Sequence, residues 1–73
     1  MAKLPVCSGA EAVKAFEKAG WKQSRQKGSH VSLTQNNNPI VLTVPLHREL
    51  KPGLLRGLIR SAGLSVDEFA ALL

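Results

Sequence analysis

The hydrophobic spacing of this chain changes twice, and that change limits what it can fold into. From Gly9 to Ala19 the apolar residues Ala12, Val13, Phe16 and Ala19 recur at helical spacing, with Lys14, Glu17 and Lys18 on the polar side. From Trp21 the period falls to two. Trp21, Gln23 and Arg25 belong to one face of a strand, and Lys22, Ser24 and Gln26 to the other. His30 to Gln35 alternates again, with Val31 and Leu33 apolar and His30, Ser32 and Thr34 opposite. Ile40 to Pro45 makes a third such run, with Ile40, Leu42 and Val44 as its apolar face. After Pro52 helical spacing returns in Leu54, Leu55, Leu58, Ile59 and Ala62. The order is helix, three strands, helix: an α+β domain with an antiparallel meander.

The punctuation agrees with these periods. Residues 1 to 7 read as an irregular lead-in, with Pro5 discouraging helix at Leu4. Ser8-Gly9-Ala10-Glu11 is a capping box, and Gly20 stops the first helix. Lys27-Gly28 is a hairpin turn, and Asn36-Asn37-Asn38-Pro39 a second turn. Pro52 suits the first turn of a helix that Gly63 ends, with Leu64 packing back on it. Ser65-Val66-Asp67-Glu68 is another capping box, opening a short last helix through Phe69, Leu72 and Leu73.

Each strand offers one apolar face, so both main helices should cover the same side of the sheet. Trp21 is expected in that core, against Phe16 and the second helix. The open face would carry Lys22, Ser24, His30, Ser32, Thr34, Val41 and Thr43.

Composition then narrows the function. Seventy-three residues are expected to form one domain, 1–73, with no room for a cofactor domain beside a substrate domain. The apolar runs are far shorter than the roughly 20 residues of a membrane-spanning helix. Met1 to Cys7 has no apolar segment of the signal-peptide kind, and the lone Cys7, expected to be an unreactive thiol, fits a reducing cytoplasm. Two His and one Cys are too few for a zinc site built from those residues alone. Ten Lys plus Arg against five Asp plus Glu leave a net charge of +5, which points to an anionic partner, nucleic acid being the usual one. A sheet that stacks bases on aromatic residues is disfavoured, because there is no Tyr and neither Phe lies on a strand.

The α-β-β-β-α order resembles the double-stranded RNA-binding domain fold. The residues resemble a narrower family. Leu4-Pro5-Val6 before Ser8-Gly9, Ala19-Gly20-Trp21, Arg25-Gln26-Lys27-Gly28-Ser29-His30 and Val44-Pro45 are similar to the HicA toxins. So are Leu50-Lys51-Pro52-Gly53-Leu54-Leu55-Arg56 and Ile59-Arg60-Ser61-Ala62-Gly63-Leu64-Ser65. HicA toxins are small messenger-RNA interferases of toxin–antitoxin pairs. Many relatives carry a second His where this chain has Val31, and Thr where it has Leu54.

The resemblance implies metal-independent endonucleolytic cleavage of single-stranded messenger RNA in the cytoplasm, with no cofactor. His30 would be the catalytic residue. The chemistry is consistent: RNA supplies its own nucleophile, the 2′-OH, and an imidazole, titrating near 6.5 in isolation, can take its proton near neutral pH. Lys22, Arg25 and Lys27 would offset phosphate charge, and Gly28 and Ser29 would keep the turn slim enough for a phosphate to reach backbone N–H groups. His47 is a second, weaker candidate as the paired acid. Arg56 and Arg60 read as a solvated helix flank or a surface for a partner. The resemblance further implies a HicB-type antitoxin that occludes His30 and supplies the operator-DNA binding. The alternative is a non-catalytic module that holds duplex RNA by shape. The second helix opens with Lys51, Pro52 and Gly53, which is thin for that kind of phosphate clamp.

Overall fold

Two serine capping boxes and a proline set where the helices begin. The computed structural model describes residues 3–73, so Met1 and Ala2 of the lead-in lie outside the described residues. Helix α1 spans Gly9–Lys18, α2 Pro52–Ser61 and α3 Val66–Leu72. At α1, Ser8 Oγ accepts from the Glu11 N–H at 3.1 Å, and Glu11 Oε1 accepts from the Ser8 N–H at 2.8 Å. Ser65 and Glu68 repeat this at α3, at 3.0 and 2.8 Å. Helix α2 has Pro52 in its first turn and no side-chain cap.

The boxes also make stability depend on pH. Hydrogen bonds from the cap serine, its backbone N–H first and its side chain second, hold Glu11 and Glu68 below the ordinary carboxylate value of 4.5. A folded pKa below the unfolded one means stabilisation above the ordinary value, lost as pH falls through the depressed value. The melting temperature is therefore expected to drop as pH falls below 4.5, and to drop less in a Glu11→Gln, Glu68→Gln double variant. Equal slopes in thermal melts of the two proteins would refute this.

The sheet has the order β1-β2-β3, all antiparallel, with β1 at Lys22–Lys27, β2 at His30–Gln35 and β3 at Asn38–Pro45. Val31 and Leu33 pair with Val44 and Leu42 to form its apolar face. That face joins Ala12, Val13, Ala15 and Phe16 of α1 and Leu55, Leu58 and Ile59 of α2 in one core. Both main helices thus cover the same side, as the strand pattern requires. Helix α3 completes the core: Phe69 is fully buried, its ring centroid 5.0 Å from that of Phe16 at an interplanar angle of 44°.

The structure corrects four local expectations. Trp21 precedes β1 instead of belonging to it. Its N–H donates to the Phe16 carbonyl at 3.0 Å, so it belongs to the helix-ending turn that drives it into the core. The second turn is only Asn36-Asn37, because Gln35 pairs with Asn38 and Asn37 takes a φ of 61°. Ile40 is 41% exposed, because the β2–β3 register slips between Leu33 and Gln35 and regular alternation starts only at Leu42. Leu54 is 40% exposed, since the buried stripe of α2 is Leu55, Leu58 and Ile59, and Leu54 lies one helical step to its side.

Helix α2 also contains Gly57, where an added Cβ would meet nothing within 4 Å. Gly57→Ala is expected to stabilise the fold by about 0.5–1 kcal/mol, because the unfolded chain then loses less freedom on folding. A urea midpoint at or below that of the parent would contradict this.

Candidate functional site

One extra residue in β1 decides which side chains share a face. Strict alternation sends Arg25 inward with Gln23 and turns Gln26 outward with Lys22. Instead Gln23 pairs with Leu33 while Arg25 pairs with Ser32, so Ser24 is a β-bulge. The Ser24 hydroxyl donates to the Ser32 carbonyl at 3.2 Å, pinning the bulge to β2. Beyond it every residue changes side. Arg25 and Lys27 join Lys22 on the open face, opposite Ser32, His30 and Thr34 respectively, and Gln26 turns toward the helices beside Val31. The sequence expectation for Arg25 and Gln26 is thereby reversed.

The hairpin turn is likewise one residue later than expected. Lys27 ends β1 and pairs with His30, leaving Gly28-Ser29 as the two-residue turn. Gly28 has a φ of 59°, while Ser29 does not take a positive φ. Glycine at the first turn position is the type II′ preference, which matches the twist of the two strands.

His30 is therefore the first residue of the central strand, between Lys27 on one side and Pro45 on the other. Side chains directly opposite on antiparallel strands have Cβ atoms about 4.5–5.5 Å apart, and diagonal neighbours about 7–8 Å. Lys27 takes the first position relative to His30 and Arg25 the second. Both are within reach of an anion held at the imidazole, and all of these side chains are exposed to solvent. Lys22 lies farther along the same face, opposite Thr34.

The backbone around the turn is tied down. The Ser29 carbonyl accepts from the Leu46 N–H at 2.6 Å, and the His47 carbonyl accepts from the Gly9 N–H at 2.9 Å. The turn, the exit of β3 and the start of α1 thus form one unit. His47 itself lies two residues beyond Pro45, past the end of the sheet, and is exposed. The register brings Lys22, Arg25, Lys27 and His30 together; it does not bring His47 among them.

Arg56 and Arg60 are exposed along α2, where they line a cleft of about 260 Å³ with Leu64 and Ser65. Cys7 is buried, and its thiol is raised, first by that burial and second by the Glu11 carboxylate, so it stays protonated and weakly nucleophilic at neutral pH. No group of three or more His, Cys, Asp or Glu able to hold a metal ion occurs among the described residues. None of their helices is long and apolar enough to cross a membrane.

The chemistry open to this arrangement is to bind a phosphodiester at a cationic face and exchange a proton with a hydroxyl beside it through the imidazole on that face. Ser24 is the residue that sequence reasoning missed. Every residue of β1 is polar and exposed, so no apolar side chain marks which face is which.

The comparisons with known proteins bear on the same residues. The family model described as the HicA toxin of bacterial toxin–antitoxin matches residues 9–64, a span that contains the whole hairpin and both histidines. Among solved structures, the chain is similar to one titled as a toxin–antitoxin complex from Streptococcus pneumoniae. The identity is 34%, 78% of this chain and 97% of that one are covered, and the TM-score is 0.68. No curated protein matches. With the family model spanning more than half of the sequence and the fold shared with a toxin–antitoxin structure, the chain belongs to the HicA toxin family of bacterial toxin–antitoxin systems.

Proposed function

We propose that this chain is a metal-independent endoribonuclease that cleaves single-stranded messenger RNA in the cytoplasm, with His30 as general base. The observation that carries the reading is the strand register: Lys27 opposite His30, with Arg25 diagonal to it on the same open face. The RNA 2′-OH is the nucleophile. His30 takes its proton as the O2′–P bond forms. Lys27 and Arg25 offset the charge that builds on the phosphorane, and Lys22 holds a neighbouring phosphate. The P–O5′ bond then breaks, and the 5′ oxygen leaves with a proton from solvent, which reaches this open face. The product is a 2′,3′-cyclic phosphate or its hydrolysed form. The turn made by Gly28 and Ser29 is slim enough for the phosphate to approach backbone N–H groups.

A toxin of this kind needs an inhibitor. The similar Streptococcus pneumoniae structure is a toxin–antitoxin complex, which supports an antitoxin partner here, of the HicB type. Its carboxylates would meet Lys22, Arg25 and Lys27 and cover His30, and charge complementarity would speed the encounter. Operator DNA would be bound through the antitoxin and not by this chain.

The test is incubation of the purified protein with single-stranded RNA in EDTA, followed by analysis of the fragment ends. Fragments ending in a 2′,3′-cyclic phosphate, or in the monophosphate left by its hydrolysis, are expected. Intact single-stranded RNA, with tight binding to duplex RNA, would instead support a non-catalytic duplex-binding module.

A further inference from the structure

A groove of about 210 Å³ runs between α1 and β1, on the side of the strand opposite the cations. Val13 and Val31 form its floor, Gln23 and Gln26 its strand wall, and Lys14 and Glu17 its helix wall. Leu46 closes one end and is 37% exposed, an apolar side chain with a wet surface. The Leu46 N–H is held by the Ser29 carbonyl at 2.6 Å, so the groove begins beside the residue that precedes His30. The Gln26 amide donates to the Gly28 carbonyl at 3.2 Å, which fixes its position and leaves its Oε1 and second N–H unspent. Strand β1 separates the groove from the open face, and its end is the hairpin tip, where a Cβ on Gly28 would meet nothing within 4 Å. A flexible polynucleotide can bend over an edge that thin.

We propose that this groove receives the unpaired nucleobase of one nucleotide adjacent to the phosphate held at His30. The Gln23 and Gln26 amides read the edge of the base, and Leu46 and Val13 pack on its face. The proposal rests on the ribonuclease reading and adds a source of sequence preference to it. A carboxamide carries both donor and acceptor, so it pairs best with a base edge that presents both and distinguishes bases by that pattern. The apolar floor makes a mismatched polar edge costly, because its groups are left unpaired. Single-stranded RNA offers splayed bases that duplex RNA withholds. The bulge at Ser24 is what turns Gln26 toward this groove.

The test has a binding arm and a cleavage arm. Isotope-labelled His30→Ala protein is titrated with unlabelled ribodinucleotides in which one base is varied through all four. The side-chain amide signals of Gln23 and Gln26 and the methyl signals of Leu46 and Val13 are expected to shift, unequally among the four bases. In the cleavage arm, a Gln23→Ala, Gln26→Ala variant cuts RNA of randomised sequence. Both positions are exposed, and the base preference beside the cut is expected to fall about 10-fold or more. Shifts confined to Lys22, Arg25, Lys27 and position 30, or an unchanged preference, would overturn the groove proposal and leave the ribonuclease reading standing. Groove signals that move on dilution of the protein alone would assign the groove to a second copy and overturn it too. Wild-type protein that cuts no RNA, with no signal moved by any dinucleotide, would overturn both.

Discussion

Replacing His30 with alanine is expected to lower the rate of RNA cleavage by about 10²–10⁴-fold, the span attributed to a positioned general base. The fold should not notice. His30 is exposed at the first position of the central strand, and surface substitutions usually change stability by less than about 0.5 kcal/mol. The comparison needs two measurements on the same preparations: initial cleavage rate in EDTA and the thermal midpoint. A His30→Gln variant sharpens it. Glutamine keeps a hydrogen-bonding side chain at the site and cannot take the proton, so it should be nearly as inactive as alanine. Full activity in either variant would remove His30 from the mechanism. A lost midpoint in His30→Ala would instead mean that His30 supports the fold.

The second large effect is expected at a glycine behind the hairpin turn, where α1 meets the exit of β3. A Cβ on Gly9 would overlap the Pro45 carbonyl oxygen and stand 2.8 Å from Leu46 Cα, both of them backbone atoms with no rotamer to yield. Gly9→Ala must therefore push α1 away from the exit of β3. That movement strains the hydrogen bond from the Gly9 N–H to the His47 carbonyl at 2.9 Å. Overpacking of this kind costs about 1–3 kcal/mol, occasionally more. Domains of this size have little stability in reserve. The urea midpoint should fall, and RNA cleavage should fall with it, because Leu46 is also bonded to the Ser29 carbonyl next to His30. Gly57→Ala is the natural control, with the opposite sign expected. Identical urea midpoints for Gly9→Ala and the parent would show that the backbone contact is not a constraint.

The elements were legible in the sequence because each carried a period and a stop. Ala12, Val13 and Phe16 marked α1, Val31 and Leu33 marked β2, and the two Ser–Glu boxes marked helix starts within a residue. What failed was the facing of residues in polar runs. In β2, two apolar side chains fix which way the strand turns. In β1 nothing does, so an inserted residue at Ser24 leaves no mark on composition or alternation. Arg25 was therefore expected beside the core, and it lies on the open face. Ile40 failed for a related reason: the register slip near Asn38 depends on a turn whose length the Asn-rich stretch does not declare. His30 and its neighbours were found through resemblance of short motifs. The register supplied what motifs lack, namely which side of the strand each residue occupies.

The bulge in β1 has a further consequence, for solubility. This strand is one of the two outer members of the sheet, paired on one side only. An unpaired flat strand invites another chain to extend the sheet, which leads to aggregation. Here the border is guarded twice: the bulge distorts it, and Lys22, Arg25 and Lys27 repel a second copy. The three charges proposed to meet RNA thus also keep copies of the protein apart. Neutralising them to weaken RNA binding would also remove that guard, so such variants should be judged by light scattering as well as by activity.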